Sequence, residues 1–193
     1  MNLDFPITAD LPLSIAIREL GISNWKTLVS YIQKLPYGRN KNRQDLSLVL
    51  KENKGSCSSK HAFLKAVAQE NKQDAVTLIL AIYKMNGENT GIGSVIETTG
   101  LSYIPEAHCY LKIENERIDI TSSSAAFDNL KEAILSEIEI TPDQVTTFKV
   151  AYHQEFLKNW IEEIQLNKTF EEVWETRESC IQYLSSQSNL NFI

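Results

Sequence analysis

The sequence predicts an α+β fold in which a buried helix packs against a mainly antiparallel sheet, with extra helices at the N- and C-terminal ends. Three observations predict it. The stretch "SCSSKHAFLKAVAQE" (56–70) places Ala62, Phe63, Leu64, Ala66, Val67 and Ala68 nearly all round a helix, and a helix that is apolar on every side belongs in a core. "DAVTLILAIYKM" (74–85) is rich in β-branched residues, and "HCYLKIENERIDIT" (108–121) alternates as a hairpin. The order is helices, then strands, then helices, which is that of an α+β layout rather than alternating βαβ units.

The elements follow in chain order. Residues 11–35 read as helical, with Ser23 or Asn24 capping a helix that carries Trp25, Leu28, Val29 and Ile32 at 3–4 spacing. Pro36 and Gly38 break it in "LPYGRNKNR" (35–43), and "DLSLVLKEN" (45–53) holds one or two helical turns. Glycines 87, 91, 93 and 100 with Pro105 make 86–107 a loop region around one short helix. In the hairpin, His108, Tyr110 and Lys112 alternate with Cys109, Leu111 and Ile113, and Asn115-Glu116 is the expected turn. A helix is expected at 126–137 and a strand at 147–153 (TFKVAYH). Two amphipathic helices close the chain, one lined by Phe156, Trp160, Ile161 and Ile164, the other by Phe170, Val173, Trp174 and Ile181. The 193 residues are read as a single domain over 1–193, with a core at about 24–153 and C-terminal helices at about 154–186.

The composition, 42% hydrophobic and 23% charged, is that of a soluble globular protein. A net charge of -6 and the absence of a basic run argue against nucleic acid as a partner. No apolar run approaches the ~18–20 residues of a membrane span. The N-terminal "MNLDFPITAD" has an acidic residue where a signal peptide has a positive one and lacks an apolar run, so a cytoplasmic location is expected. Three widely spaced cysteines argue against a disulfide framework.

Chemistry-bearing residues fall in one order: Cys57 opens the buried helix, His108 opens the hairpin, and Asp119 lies in its second arm. A helix N-terminus and a neighbouring imidazolium both favour a thiolate. The histidine in turn needs a partner, usually a carboxylate, to hold one ring nitrogen toward the sulfur. Other readings of the same residues stay open. Cys57 is a nucleophile or a buried structural thiol, and Asp119 is a triad acid, a solvating strand residue or a partner of Lys112. Cys109 and Cys180 read as packing. His61, one turn after Cys57, shares its helix face as a supporting or core histidine. A zinc site from Cys57, His61, His108 and Cys109 fits no usual ligand spacing, and no metal is expected. Tyr37, Arg39 and Asn40 precede the cysteine helix closely enough to line a cleft, and Tyr110 shares the strand face of His108.

"KGSCSSKHAFL" resembles the G-x-C opening of the core helix in the transglutaminase-like superfamily. "AHCYLKI" is similar to its H-x-aromatic-apolar strand, and "IDIT" to its apolar-Asp-x-Thr segment. The resemblance covers roughly residues 50–122, and the chain looks like a small, single-domain, bacterial-type member. It implies a papain-like α+β core and a Cys57-His108-Asp119 triad. It also implies thiol acyl transfer or amide hydrolysis on a protein, peptide or small amide, without a cofactor. A non-catalytic peptide-binding module on the same fold is the alternative, and the C-terminal helices with Trp160 and Trp174 offer an oligomer contact.

Two features depart from that pattern. Ile120 stands where the family often has proline, and His108 and Asp119 are only eleven positions apart. With Asn115-Glu116 as the turn, Asp119 faces Lys112 and His108 faces Ser123. The two side chains then stand four residues apart along the ladder, some ~13 Å at ~3.3 Å per residue. Thr121 and Ser123 are the next candidates for the orienting role.

Overall fold

The computed structural model describes residues 3–121 and 128–190, with the side chains of 129, 185 and 187–190 left outside the description. The protein is α+β. The helices are α1 (Pro12–Glu19), α2 (Trp25–Lys34), α3 (Leu48–Lys51), α4 (Cys57–Glu70), α5 (Gly87–Thr90), α6 (Gly93–Ile96), α7 (Asp128–Lys131), α8 (Thr147–Glu163) and α9 (Phe170–Leu190). Strands β1 (Val76–Met85), β2 (Ile104–Ile113), β3 (Glu116–Ile118) and β4 (Ile134–Ile140) form an antiparallel sheet in the order β3-β2-β1-β4. The chain makes two compact units. One comprises Met1–Leu80, Cys109–Phe127 and Ile138–Thr146, and the other Ala81–His108, Asp128–Glu137 and Thr147–Ile193.

In the first unit α4 is the central element. Its start is fixed by Ser56, whose hydroxyl accepts from the Ser59 N–H while the Ser59 hydroxyl accepts from the Ser56 N–H at 2.9 Å. This is a capping box built from two serines. The other end stops where Lys72 takes a left-handed conformation, φ 58°. α4 packs against α1, α2, α3 and the 3-10 turn Pro142–Val145, and Phe63, Leu64, Val67 and Ala68 have no exposed surface. Its last residue caps a neighbour: the Glu70 carboxylate accepts from the N–H groups of Leu13 and Ser14 at the start of α1, which has no side-chain cap of its own.

The second unit has its own apolar core. Tyr83, Met85, Ile104, Leu157, Trp160, Val173 and Cys180 are buried there, with Phe156, Ile161, Phe170, Trp174 and Ile181 packed against them. The Trp160 indole N–H donates to the Tyr103 hydroxyl at 2.9 Å. Ile164 lies beyond the end of α8 and is exposed rather than lining the core.

Several expectations are corrected. The helical stretch 11–35 is two helices, α1 and α2, separated at Gly21 (φ 77°); of the two caps expected for the second, Asn24 is the one used, accepting from the Thr27 N–H. The region 86–107 holds two short helices, a 3-10 turn and the first four residues of β2, which begins at Ile104. In place of a helix over 126–137 there is α7 followed by β4, whose burial alternates with period two; residues 126 and 127 lie outside the described residues. The expected strand 147–153 is the start of α8, because His153, Leu157 and Trp160 recur at helical spacing and carry the helix into the core.

The hairpin turn is Glu114-Asn115, one residue earlier than expected. Ile113 pairs with Glu116, Lys112 with Arg117 and Leu111 with Ile118. Glu114 has φ 55°, a positive first position of the kind primed hairpin turns use. Under the expected register Ile120 would pair with Leu111. The Ile120 N–H instead donates to His61 of α4 at 2.9 Å, and the ladder ends at Ile118.

Candidate functional site

Cys57 occupies the first helical position of α4, with Ser56 as its N-cap, and is nearly buried. Its Sγ lies 3.8 Å from the Ser58 hydroxyl. Two residues before it, Gly55 is gripped by the chain: its N–H donates to the Pro36 carbonyl and its own carbonyl accepts from the Gly38 N–H. A side chain at 55 would put Cβ 2.8 Å from Lys60 Cγ and 3.0 Å from Ser59 Oγ, so only glycine fits the close approach.

The turn after Cys57 is bonded to the segment that follows β3. His61, fully buried, places Nδ1 2.7 Å from the Cys57 carbonyl oxygen and Nε2 2.9 Å from the Ile120 nitrogen. The Ile120 N–H is a donor, so Nε2 is its acceptor and Nδ1 carries the proton that it donates to Cys57. Lys60, also fully buried, donates from Nζ to the carbonyls of Leu35 (2.6 Å), Thr121 (2.8 Å) and Gln33 (3.3 Å). Burial pulls its pKa down to about 8, against a smaller upward pull from Asp119.

The Asp119 side chain is 2% exposed and sits with Oδ1 3.6 Å from His61 Nε2. Oδ1 accepts from the Thr121 N–H at 2.8 Å and from the Thr121 hydroxyl. Thr121 thus serves Asp119 directly, and Ser123 lies outside the described residues.

The remaining sequence candidates divide. Tyr37 is half-buried and forms a parallel bridge with Gly55, which sets it beside the approach to Cys57. Arg39 is exposed. Asn40 is buried and donates to the carbonyls of Leu48 and Lys54 and to the Glu52 carboxylate, so it holds its loop together. Tyr110 is fully buried in β2. Cys109 is fully buried, as the packing reading expects, and alternation aims it to the face opposite His108. Among the described residues no three His, Cys, Asp or Glu side chains group as a metal ion would need, and no helix is long and apolar enough to cross a membrane.

His108 belongs to the second unit, where it is half-buried with the Tyr83 ring edge-on at 6.0 Å. Two positions before it on the same strand face, Glu106 is clamped by Arg177 of α9 through both carboxylate oxygens, each at 2.6 Å. The Arg177 guanidinium also lies over the Trp174 ring. His153 of α8 holds the Pro105 carbonyl at 2.8 Å, and burial keeps its pKa below the ordinary value.

Sequence reasoning missed Lys60. The signal was present: a lysine inside a helix that is apolar all round is buried and must find acceptors. Glu106 and Arg177 gave no such signal, being 71 positions apart. No protein-family model, curated protein or solved structure matches the chain.

Proposed function

We propose that the protein is a transglutaminase-like thiol enzyme that transfers or hydrolyses acyl groups of a protein, peptide or small amide. In this reading the Cys57 thiolate attacks the substrate carbonyl and forms a C–S bond. His108, having taken the thiol proton, returns it to the departing amine as the C–N bond breaks. Asp119 orients His108. Water or a second amine then attacks the thioester and releases the Cys57 thiol. Backbone N–H groups at the start of α4, that of Cys57 first, are the natural donors to the oxyanion.

The observation that carries the proposal is the place of Cys57 at the first position of a 14-residue helix whose next turn is bonded to the segment bearing Asp119.

Alkylation tests the reading. An activated thiol reacts with iodoacetamide at about pH 6, where an ordinary thiol with pKa near ~8.5 is almost wholly protonated. Folded protein should label first at Cys57, as located by peptide mass mapping. His108→Ala should slow the labelling sharply and Cys109→Ser should leave it unchanged. A Cys57 that resists both iodoacetamide and a smaller electrophile until the protein is denatured would replace the enzyme with a peptide-binding module on the same fold.

A further inference from the structure

The fully buried His61 ring uses both of its nitrogens on main-chain groups of separate segments. Nδ1–H donates to the carbonyl of Cys57, one turn back on α4. Nε2 accepts from the N–H of Ile120, the residue directly after Asp119. With Nε2 occupied and Nδ1 turned to a carbonyl, the ring has no lone pair left with which to take a proton from the sulfur. It is therefore not a general base. What it does hold is a distance: the Ile120 amide nitrogen is part of the peptide unit that begins at Asp119, so fixing it fixes the root of the Asp119 side chain.

Lys60 fastens the same segment at Thr121, and Thr121 in turn grips Asp119 Oδ1. Two consecutive residues of α4 therefore hold Ile120 and Thr121 of the other segment directly, and Asp119 through Thr121. This grip is what ends β3 at Ile118 and draws the chain off the ladder with its carboxylate buried.

We infer that His61 is a positioning residue: by bridging the Cys57 carbonyl and the Ile120 amide, it sets where the Asp119 carboxylate stands relative to the start of α4. The inference rests on the reading of Asp119 as the acid that orients the base. A misplaced Asp119 would leave the imidazolium less favoured, and the Cys57 thiolate would lose the charge that stabilises it.

The test is the rate of iodoacetamide labelling at Cys57 against pH, with thermal melting recorded for every variant. Three variants separate the two bonds of the ring. His61→Gln puts a carbonyl oxygen near the place of Nε2 and keeps the Ile120 bond. His61→Asn keeps a donor near the place of Nδ1 and loses the Ile120 bond. His61→Ala loses both.

The expected result is that the midpoint of the rate profile rises by about one pH unit in His61→Ala and His61→Asn, which is about tenfold slower labelling at pH 6. At pH 9 their rates should return to that of the unaltered protein, which a loss of access or of folding would not allow. His61→Gln should restore the original profile. If His61→Ala does not fold, the Gln and Asn pair decides. Profiles that superimpose in all variants, or a profile restored by Asn and not by Gln, would overturn the inference while leaving the thiol-enzyme reading intact. An ordinary thiol profile in the unaltered protein would overturn both.

Discussion

Arg177 of α9 closes on Glu106 of β2 through two parallel bonds, Nε to Oε2 and Nη2 to Oε1, each 2.6 Å long and nearly shut off from water. A buried pair of this kind stabilises little when measured against an apolar replacement, but removing one partner strands the other, at a cost of about 3–5 kcal/mol. Arg177→Met should therefore lower the denaturation midpoint of the protein severely. The double variant Arg177→Met with Glu106→Leu should recover much of the loss.

The same pair fixes a pH signature. Burial pushes the Glu106 carboxyl up, but the Arg177 guanidinium overrides it and the net position is below the ordinary carboxylate range. A folded-state pKa below the unfolded value of about 4.3 gives stability that is complete above that value and lost as pH falls through the folded one. Without Arg177, burial, the largest influence on Glu106, is opposed only by the smaller pulls of His153 and Lys149, and the folded pKa is expected above the unfolded value. Arg177→Met should then lose stability as pH rises from about 4, the opposite slope to the unaltered protein. Equilibrium unfolding at a series of pH values reads the sign directly, and equal slopes would mean that Glu106 gains its charge compensation elsewhere.

Gly55 offers a third, purely steric prediction. Its φ is not in the left-handed region, so the demand for glycine comes from the 2.8 Å approach that a Cβ would make to Lys60 Cγ. Gly55→Ala should cost about 1–3 kcal/mol, as overpacking at a tight site does. Because Lys60 Cγ is the atom struck, the cost should shrink when Lys60 is already alanine. The two changes will be non-additive in a double-mutant cycle. Full additivity would show that Ser59 Oγ, at 3.0 Å, is the real obstacle.

How much of this was legible beforehand depends on how local each feature is. α4 was legible to within a residue at its start, because its apolar circumference and its serine cap lie within sixteen consecutive residues. Strand β1 and the existence of the hairpin were legible for the same reason. The hairpin register was not, since it is set by Glu114 taking a positive φ of 55° as the first turn residue, which no glycine signals, and the end of the ladder depends on Ile120 bonding His61, 59 positions away. The start of α8 was misread because its few residues look β-like, and only the later Leu157 and Trp160 reveal the helical period. β4 was misread because Leu135 stands on its exposed side and Ser136 on its inner side, so the residue types at its start do not follow the alternation that its burial shows. Of the site, Cys57 and Asp119 were legible as residue types. The link between them runs through His61, read from the sequence as a supporting or core histidine, and through Lys60, which was passed over in a helix read mainly for its apolar positions.

Lys60 gives the prediction in which structure and titration meet. Its amine supplies donors to the carbonyls of Leu35 and Thr121 at 2.6 and 2.8 Å. Lys60→Met leaves both acceptors buried and without that donor, at about 1–3 kcal/mol each. A pKa of about 8 means that the folded protein releases this proton well before the unfolded chain, where lysine titrates near ~10.4. Between those values the unfolded state binds more protons, so this group makes stability rise with pH from about 8 to about 10.4 and adds no slope outside that window. The neutral amine keeps two N–H donors for the two short bonds and gives up the 3.3 Å bond to Gln33. Subtracting the Lys60→Met stability curve from that of the unaltered protein removes the other lysines and tyrosines that titrate in the same range. The difference should climb across the window, and a flat difference would mean that the three carbonyls hold Lys60 as an ammonium throughout.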